Sequence, residues 1–189
     1  MFKSVPILSI LILVIGLFLM PVTDASAREF ELGVAAGYQY GYALSKTEGH
    51  GFAATVLAGR RFYDWFGVYG DFQINMSFSG KNAHKTDVVI HKNDYFYVFS
   101  GLVCVRFFQP VFNGDLYATI GIGYGYTGDQ FKGEKPQSGL AAKLGVGYWM
   151  RMVDHFRIGI NLDAVTNHRL DKLYNPMHFD VQLIAMVDF

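Results

Sequence analysis

Between residues 66 and 78 the chain alternates with a period of two. Phe66, Val68, Gly70, Phe72, Ile74, Met76 and Phe78 fall on one parity. Gly67, Tyr69, Asp71, Gln73, Asn75 and Ser77 fall on the other. Successive side chains of an extended strand point to opposite faces, so this segment reads as a strand with one greasy face and one polar face. The same alternation runs through 30–42, 116–127, 139–150, 156–165 and 178–189. Two further segments are strand-like but less clean. The phase of 50–62 is ambiguous, and 95–107 is apolar on both faces, with Arg106 placing Tyr95, Tyr97, Phe99, Val103, Val105 and Phe107 on the greasy side. Eight strands result, each near the 9–11 residues that cross a bilayer obliquely.

The connections alternate in length. Short ones are expected at 63–65, 109–114 and 151–155, and longer polar ones at 43–48, 81–93, 129–137 and 167–176. Short turns at one end and long loops at the other are the habit of outer-membrane barrels, and an even strand number puts both chain ends on the short-turn side.

Alternation alone also fits a water-soluble barrel with its apolar face inside. The polar face argues against that. It carries Gly33, Ala35 and Gly37 in one strand and Gly121, Gly123 and Gly125 in another, small residues that suit a crowded eight-stranded interior and would only weaken a solvated exterior. Aromatics collect near the strand ends. Tyr38, Tyr40, Tyr42, Tyr95, Tyr97, Tyr124 and Tyr126 form an outer set, and Phe62, Trp65, Phe66, Phe107, Tyr148, Phe156 and Phe189 an inner one. Open sheet edges cannot sit in lipid, so the sheet must close. The expected fold is all-β: a closed, eight-stranded, antiparallel, up-and-down transmembrane β-barrel.

Residues 1–27 read as a cleavable signal peptide. Lys3 precedes an apolar run at 5–20, too short to span a bilayer as a helix, and Ala25-Ser26-Ala27 is a small-residue cleavage site. The barrel domain is then 28–189, exported through the periplasm to the outer membrane. Losing Lys3 and Asp24 leaves 15 basic and 15 acidic residues of the original 16 and 16, so no charge excess recruits nucleic acid. Cys104 is the one cysteine, which excludes an intrachain disulfide, and it is expected to be an inert thiol facing the lumen.

At this point the chain resembles the small eight-stranded outer-membrane barrels typified by the OmpA transmembrane domain, OmpX and the Opa adhesins. The stretch 179–189, alternating and ending in Phe189, is similar to the signal read by the barrel-assembly machinery, and 60–68 is similar to the common periplasmic hairpin. The resemblance implies outer-membrane lipid, lipopolysaccharide and that machinery as partners. No peptidoglycan-binding domain is expected after Phe189.

Candidate chemistry is sparse. Glu31, Asp71, Arg106, Lys143, Arg157, Asp163 and Asp180 share the inward parity and are expected to form a charge network filling the lumen, since a buried charge needs a partner. A pair such as Asp71 with Lys143 could instead gate a narrow pore. Lys81, His84, Lys85, His91 and Lys92 make one long loop basic, suited to acidic lipopolysaccharide or a host surface ligand; its two His are an incomplete metal set. Gly123, Gly125 and Gly128 match the G-x-G-x-x-G spacing but lie within a strand, without the helix that dinucleotide binding needs. His168, Arg169 and Asp171 sit where lipid A-modifying barrels of this kind carry a His. No Ser lies nearby, and Ser100 and Ser138 belong to other strands, so no enzyme and no cofactor is expected. The leading expectation is a structural or surface-interaction role through external loops. A small or gated pore comes next, and a lipid A-modifying enzyme last.

Overall fold

The computed structural model describes residues 30–43, 47–79, 95–129, 137–168 and 176–189. Residues 1–27, and the loop positions Lys81, His84, Lys85, His91 and Lys92, lie outside them. The described residues form eight strands: β1 (Phe30–Ala43), β2 (Thr47–Tyr63), β3 (Phe66–Ser79), β4 (Tyr95–Val111), β5 (Gly114–Asp129), β6 (Gln137–Val153), β7 (Phe156–His168) and β8 (Pro176–Asp188). Each pairs antiparallel with its sequence neighbour, and β1 pairs with β8 from Glu31↔Asp188 to Ala43↔Pro176, closing the barrel. The strand ladder therefore leaves no open edge, as hydrocarbon requires.

The greasy parity faces out. Phe72 is 67% exposed, Leu144 61% and Leu183 72%, whereas Asp71 and Lys143 are buried at 0% and 2%. A water-soluble carrier would show the reverse. Both ambiguous strands resolve once their inward residues are known. β2 turns Ala53, Leu57 and Gly59 inward with Thr55, and β4 turns Val98, Leu102 and Phe108 inward with Ser100, Cys104 and Arg106. Apolar residues on the lumen face blur the alternation.

Strand ends differ from expectation at the short-turn end. β4 runs on through Pro110 to Val111, so its link to β5 is only Phe112-Asn113, and β6 runs to Val153. Proline has no N–H to give to a ladder. Here that is tolerated because β3 pairs with β4 no further than Phe66↔Phe107 and leaves Pro110 beyond its reach. Phe112 and His155 take φ of 53° and 65° in their turns. The aromatic sets occupy the outer surface near both ends: Tyr38, Tyr124 and Tyr126 at one, and Trp65, Phe107, Phe156 and Phe189 at the other.

Candidate functional site

The lumen is packed in three tiers. The inner tier lies at the short-turn end and centres on Glu31 of β1. Arg157 Nη1 of β7 donates to its carboxylate at 3.0 Å, Arg61 Nε of β2 lies 3.4 Å away, and the Tyr69 hydroxyl of β3 donates to it. Arg157 Nη2 also donates to Asp188 of β8 at 2.7 Å. Arg61 Nη2 donates to Asp115 of β5 at 2.9 Å, and Trp149 Nε1 of β6 reaches the same carboxylate at 3.3 Å. The strands of this tier, including both partners of the closing β1–β8 seam, are thus tied by one ionic cluster.

Aromatic rings fill the remaining space at this end. Phe108 stacks on Trp149 with centroids 5.4 Å apart, Tyr117 packs 4.6 Å from Trp149, and Tyr69 meets Phe108 edge-on at 6.1 Å. Arg61 lies 4.0 Å over the Phe108 ring and Arg106 4.4 Å over Tyr69, favourable placements of a cation on a π face. The glycines of the lumen wall make room for these rings. A Cβ at Gly59 would collide with the Tyr69 ring, and one at Gly147 with the Tyr117 hydroxyl.

In the middle tier Asp71 receives Arg106 Nη2 at 3.0 Å on both carboxylate oxygens and Lys143 Nζ at 3.0 Å. Lys143 also lies 3.0 Å from Asp163. The Cys104 side chain is buried beside this tier. The outer tier is built of amides and hydroxyls. Asn75 Nδ2 donates to Asp180 at 3.0 Å and to Gln39 Oε1 at 2.6 Å. Gln73 donates to Asp180, and Gln39 to Ser77. Thr55 donates to Gln182 Oε1 at 3.1 Å, and Ser100 to Asn167 Oδ1 at 3.4 Å.

All seven lumen charges named from sequence are buried inside the barrel. The structure joins them into two clusters, with Glu31 and Arg157 in one and Asp71, Arg106, Lys143 and Asp163 in the other; Asp180 stands apart among amides. Sequence reasoning missed Arg61, Asp115 and Asp188, and it missed the aromatic plug. Asp188 shares the parity of Asp180, so that signal was present. Arg61 was hidden by the unassigned phase of β2, and Phe108 by ending β4 at Phe107, four residues short of Val111.

Among the described residues no cluster of three or more His, Cys, Asp or Glu is arranged to hold a metal ion. His168 is exposed at the outer end of β7, and Ser138 is exposed near the start of β6.

The family model of the outer membrane protein β-barrel domain matches residues 9–181. Among solved structures, Neisserial surface protein A is similar in fold, with a TM-score of 0.65 at 11% identity over 85% of this chain and 97% of that one. The attachment invasion locus protein Ail of Yersinia pestis, in complex with the heparin analogue sucrose octasulfate, gives 0.47 at 18% identity over 84% and 99%. The N-terminal β-barrel domain of Pseudomonas aeruginosa OprF gives 0.47 at 12% over 85% and 99%. Comparison with curated proteins returns no match.

Proposed function

Because this chain belongs to the outer membrane protein β-barrel domain family and is a bacterial outer-membrane protein, we propose that it is a structural and surface-interaction protein that acts through its external loops. The observation that carries the reading is the filled lumen. Ion pairs in the middle tier and stacked rings with Arg61 in the inner tier occupy the tube where a solute would pass. The interior of an eight-stranded barrel is just wide enough for side chains to fill, and here buried rings and ion pairs fill it. Work on a ligand is then left to the outside.

The basic loop with Lys81, His84, Lys85, His91 and Lys92 is the contact surface of this proposal, facing lipopolysaccharide phosphates or an acidic host ligand. Residues 1–27 direct export and are removed. Phe189, 71% exposed with its N–H donating to Phe30 O at 2.9 Å across the seam, is the residue the assembly machinery reads. The test is binding of purified barrel in lipid nanodiscs to lipopolysaccharide and to host-matrix polyanions. Replacing residues 81–93 with a neutral Gly/Ser loop is expected to abolish binding with the barrel intact. Undiminished binding would overturn the loop assignment.

A gated pore is the second reading, and one arrangement favours it. Lys143 lies between two carboxylates, Asp71 and Asp163, each 3.0 Å away, so it could release one and keep the other. Single-channel recording in planar bilayers decides. This reading needs discrete steps that change with Lys143→Gln, and a silent membrane removes it.

A further inference from the structure

Among the described side chains the lumen charges do not cancel: six buried or half-buried carboxylates (Glu31, Asp71, Asp115, Asp163, Asp180, Asp188) face four cations (Arg61, Arg106, Lys143, Arg157), two fewer. The tiers locate the excess. The inner tier holds three acids and two bases, the middle tier two and two, and the outer tier Asp180 alone. Glu31, Asp71, Asp115, Asp163 and Asp188 each have a cationic side chain within 3.4 Å. Asp180 contacts only the amides of Asn75 and Gln73 among the described residues, although it is just 2% exposed. Asp163, its register partner across β7 and β8, is already paired with Lys143 at 3.0 Å, and Lys143 makes no ion pair with Asp180. A buried, ionised carboxylate without a counter-charge is strongly unfavourable.

A second observation points to what supplies the charge. Gln73 Oε1 and Asn75 Oδ1 are buried and accept no hydrogen bond. They belong to the two side chains that hold Asp180, and these are 3% and 0% exposed. Rotating either amide by half a turn exchanges its nitrogen for its oxygen. The carboxylate would then be met by Gln73 Oε1 and Asn75 Oδ1. Gln39 Oε1, which Asn75 already touches, and the Ser77 hydroxyl stand next to them.

We infer that Asp180, Gln73, Asn75 and Gln39 form a binding site for one hard cation in the outer half of the lumen. A carboxylate with amide oxygens is the donor set such ions select, and soft metals would find no sulfur or imidazole among these four. The single unbalanced charge of the tier matches a monovalent ion such as Na⁺ or K⁺. Mg²⁺ holds its own water too tightly for a site of flexible amides. In the bound state the amides turn their oxygens inward, and in the free state they turn their NH₂ groups to the carboxylate. This inference concerns the interior and stands whether or not the external loops bind a ligand.

The test is thermal unfolding of the refolded full barrel in zwitterionic micelles, in NaCl or KCl against choline chloride at equal ionic strength, because choline is too large and too soft for the site. A ligand that binds only the folded state raises Tm, and a rise of about 2–4 °C is expected once the ion exceeds its Kd several-fold. Asp180→Asn keeps the shape and removes the charge, and is expected to abolish the difference between salts. Equal melting of the wild type in all three salts overturns the site, as does an ion-specific rise that survives Asp180→Asn. If that variant does not fold, wild-type crystals grown in RbCl replace it. An anomalous peak touching the Asp180 carboxylate is expected, and its absence refutes the site.

Discussion

Replacing Asp71 by Asn probes the middle tier with almost no change of shape. Asp71 is the only carboxylate within ion-pair distance of Arg106 among the described residues, while Lys143 keeps Asp163 at 3.0 Å. After the change Arg106 is a buried guanidinium supported by the rings of Tyr69, Tyr117 and Trp149, and its Nε and Nη1 already lack hydrogen bonds. Removing one partner of a buried pair costs about 3–5 kcal/mol, because the other charge stays desolvated. The amide introduced by Asp71→Asn could still accept one neutral hydrogen bond, which places the expected loss near the lower end, about 3 kcal/mol. Replacing Arg106 by Met in the same chain removes the stranded charge, so the double variant is expected to be more stable than the sum of the two single losses by about 1–3 kcal/mol. Reversible urea unfolding in thin-chain lipid vesicles, followed by the fluorescence of Trp65 and Trp149, measures all four species. A single variant within about 0.5 kcal/mol of wild type, or strictly additive losses, would refute the claim that this ion pair holds the middle of the barrel.

Other changes probe the wall and its two faces. Gly59→Leu drives a side chain into the Tyr69 ring and is expected to abolish the heat-modifiable folded band on a gel, whereas Ala58→Leu, on the other parity, is expected to preserve it. Phe72→Lys puts a charge on the lipid face in the middle of β3 and is expected to cost about 2–4 kcal/mol in the same urea assay, against about 0–1 for Trp65→Lys near the interface. Phe112→Asn is expected to leave stability unchanged or raise it by up to about 1 kcal/mol, because Phe112 is fully exposed and holds a positive φ that Asn tolerates better.

Much of the barrel is legible in the sequence, and the reason is physical. Six strands separate lipid-facing from lumen-facing residues so cleanly that parity alone orients Phe72 and Leu144 outward and Asp71 and Lys143 inward. What obscured β2 and β4 was the plug. Leu57, Leu102 and Phe108 are greasy residues on the inward face, and a binary pattern cannot distinguish a side chain that meets lipid from one that meets another ring. Parity did place Tyr69, Tyr117 and Trp149 inward, but it says nothing about their meeting across the tube, since register between non-adjacent strands is a property of closure. Strand ends were least legible. Pro110 reads as a turn residue, and its place in β4 depends on where β3 stops. The charge network was legible as a set of residues but not as pairs. Only the tube's geometry joins Arg157 to Glu31 and Asp188 and leaves Asp180 among amides.

Spin labels report which face of each strand meets hydrocarbon. In a Cys104→Ala background, single cysteines at Phe72, Leu144 and Leu183, and at the buried positions Thr55 and Thr119, would be labelled in lipid bilayers and their collision rates measured with oxygen and with a water-soluble nickel chelate. The first three are expected to collide often with oxygen and rarely with nickel, and the last two rarely with either. High nickel access at Phe72, Leu144 and Leu183 would mean that water bathes the greasy face, and a membrane barrel with an ionic and aromatic core would be ruled out.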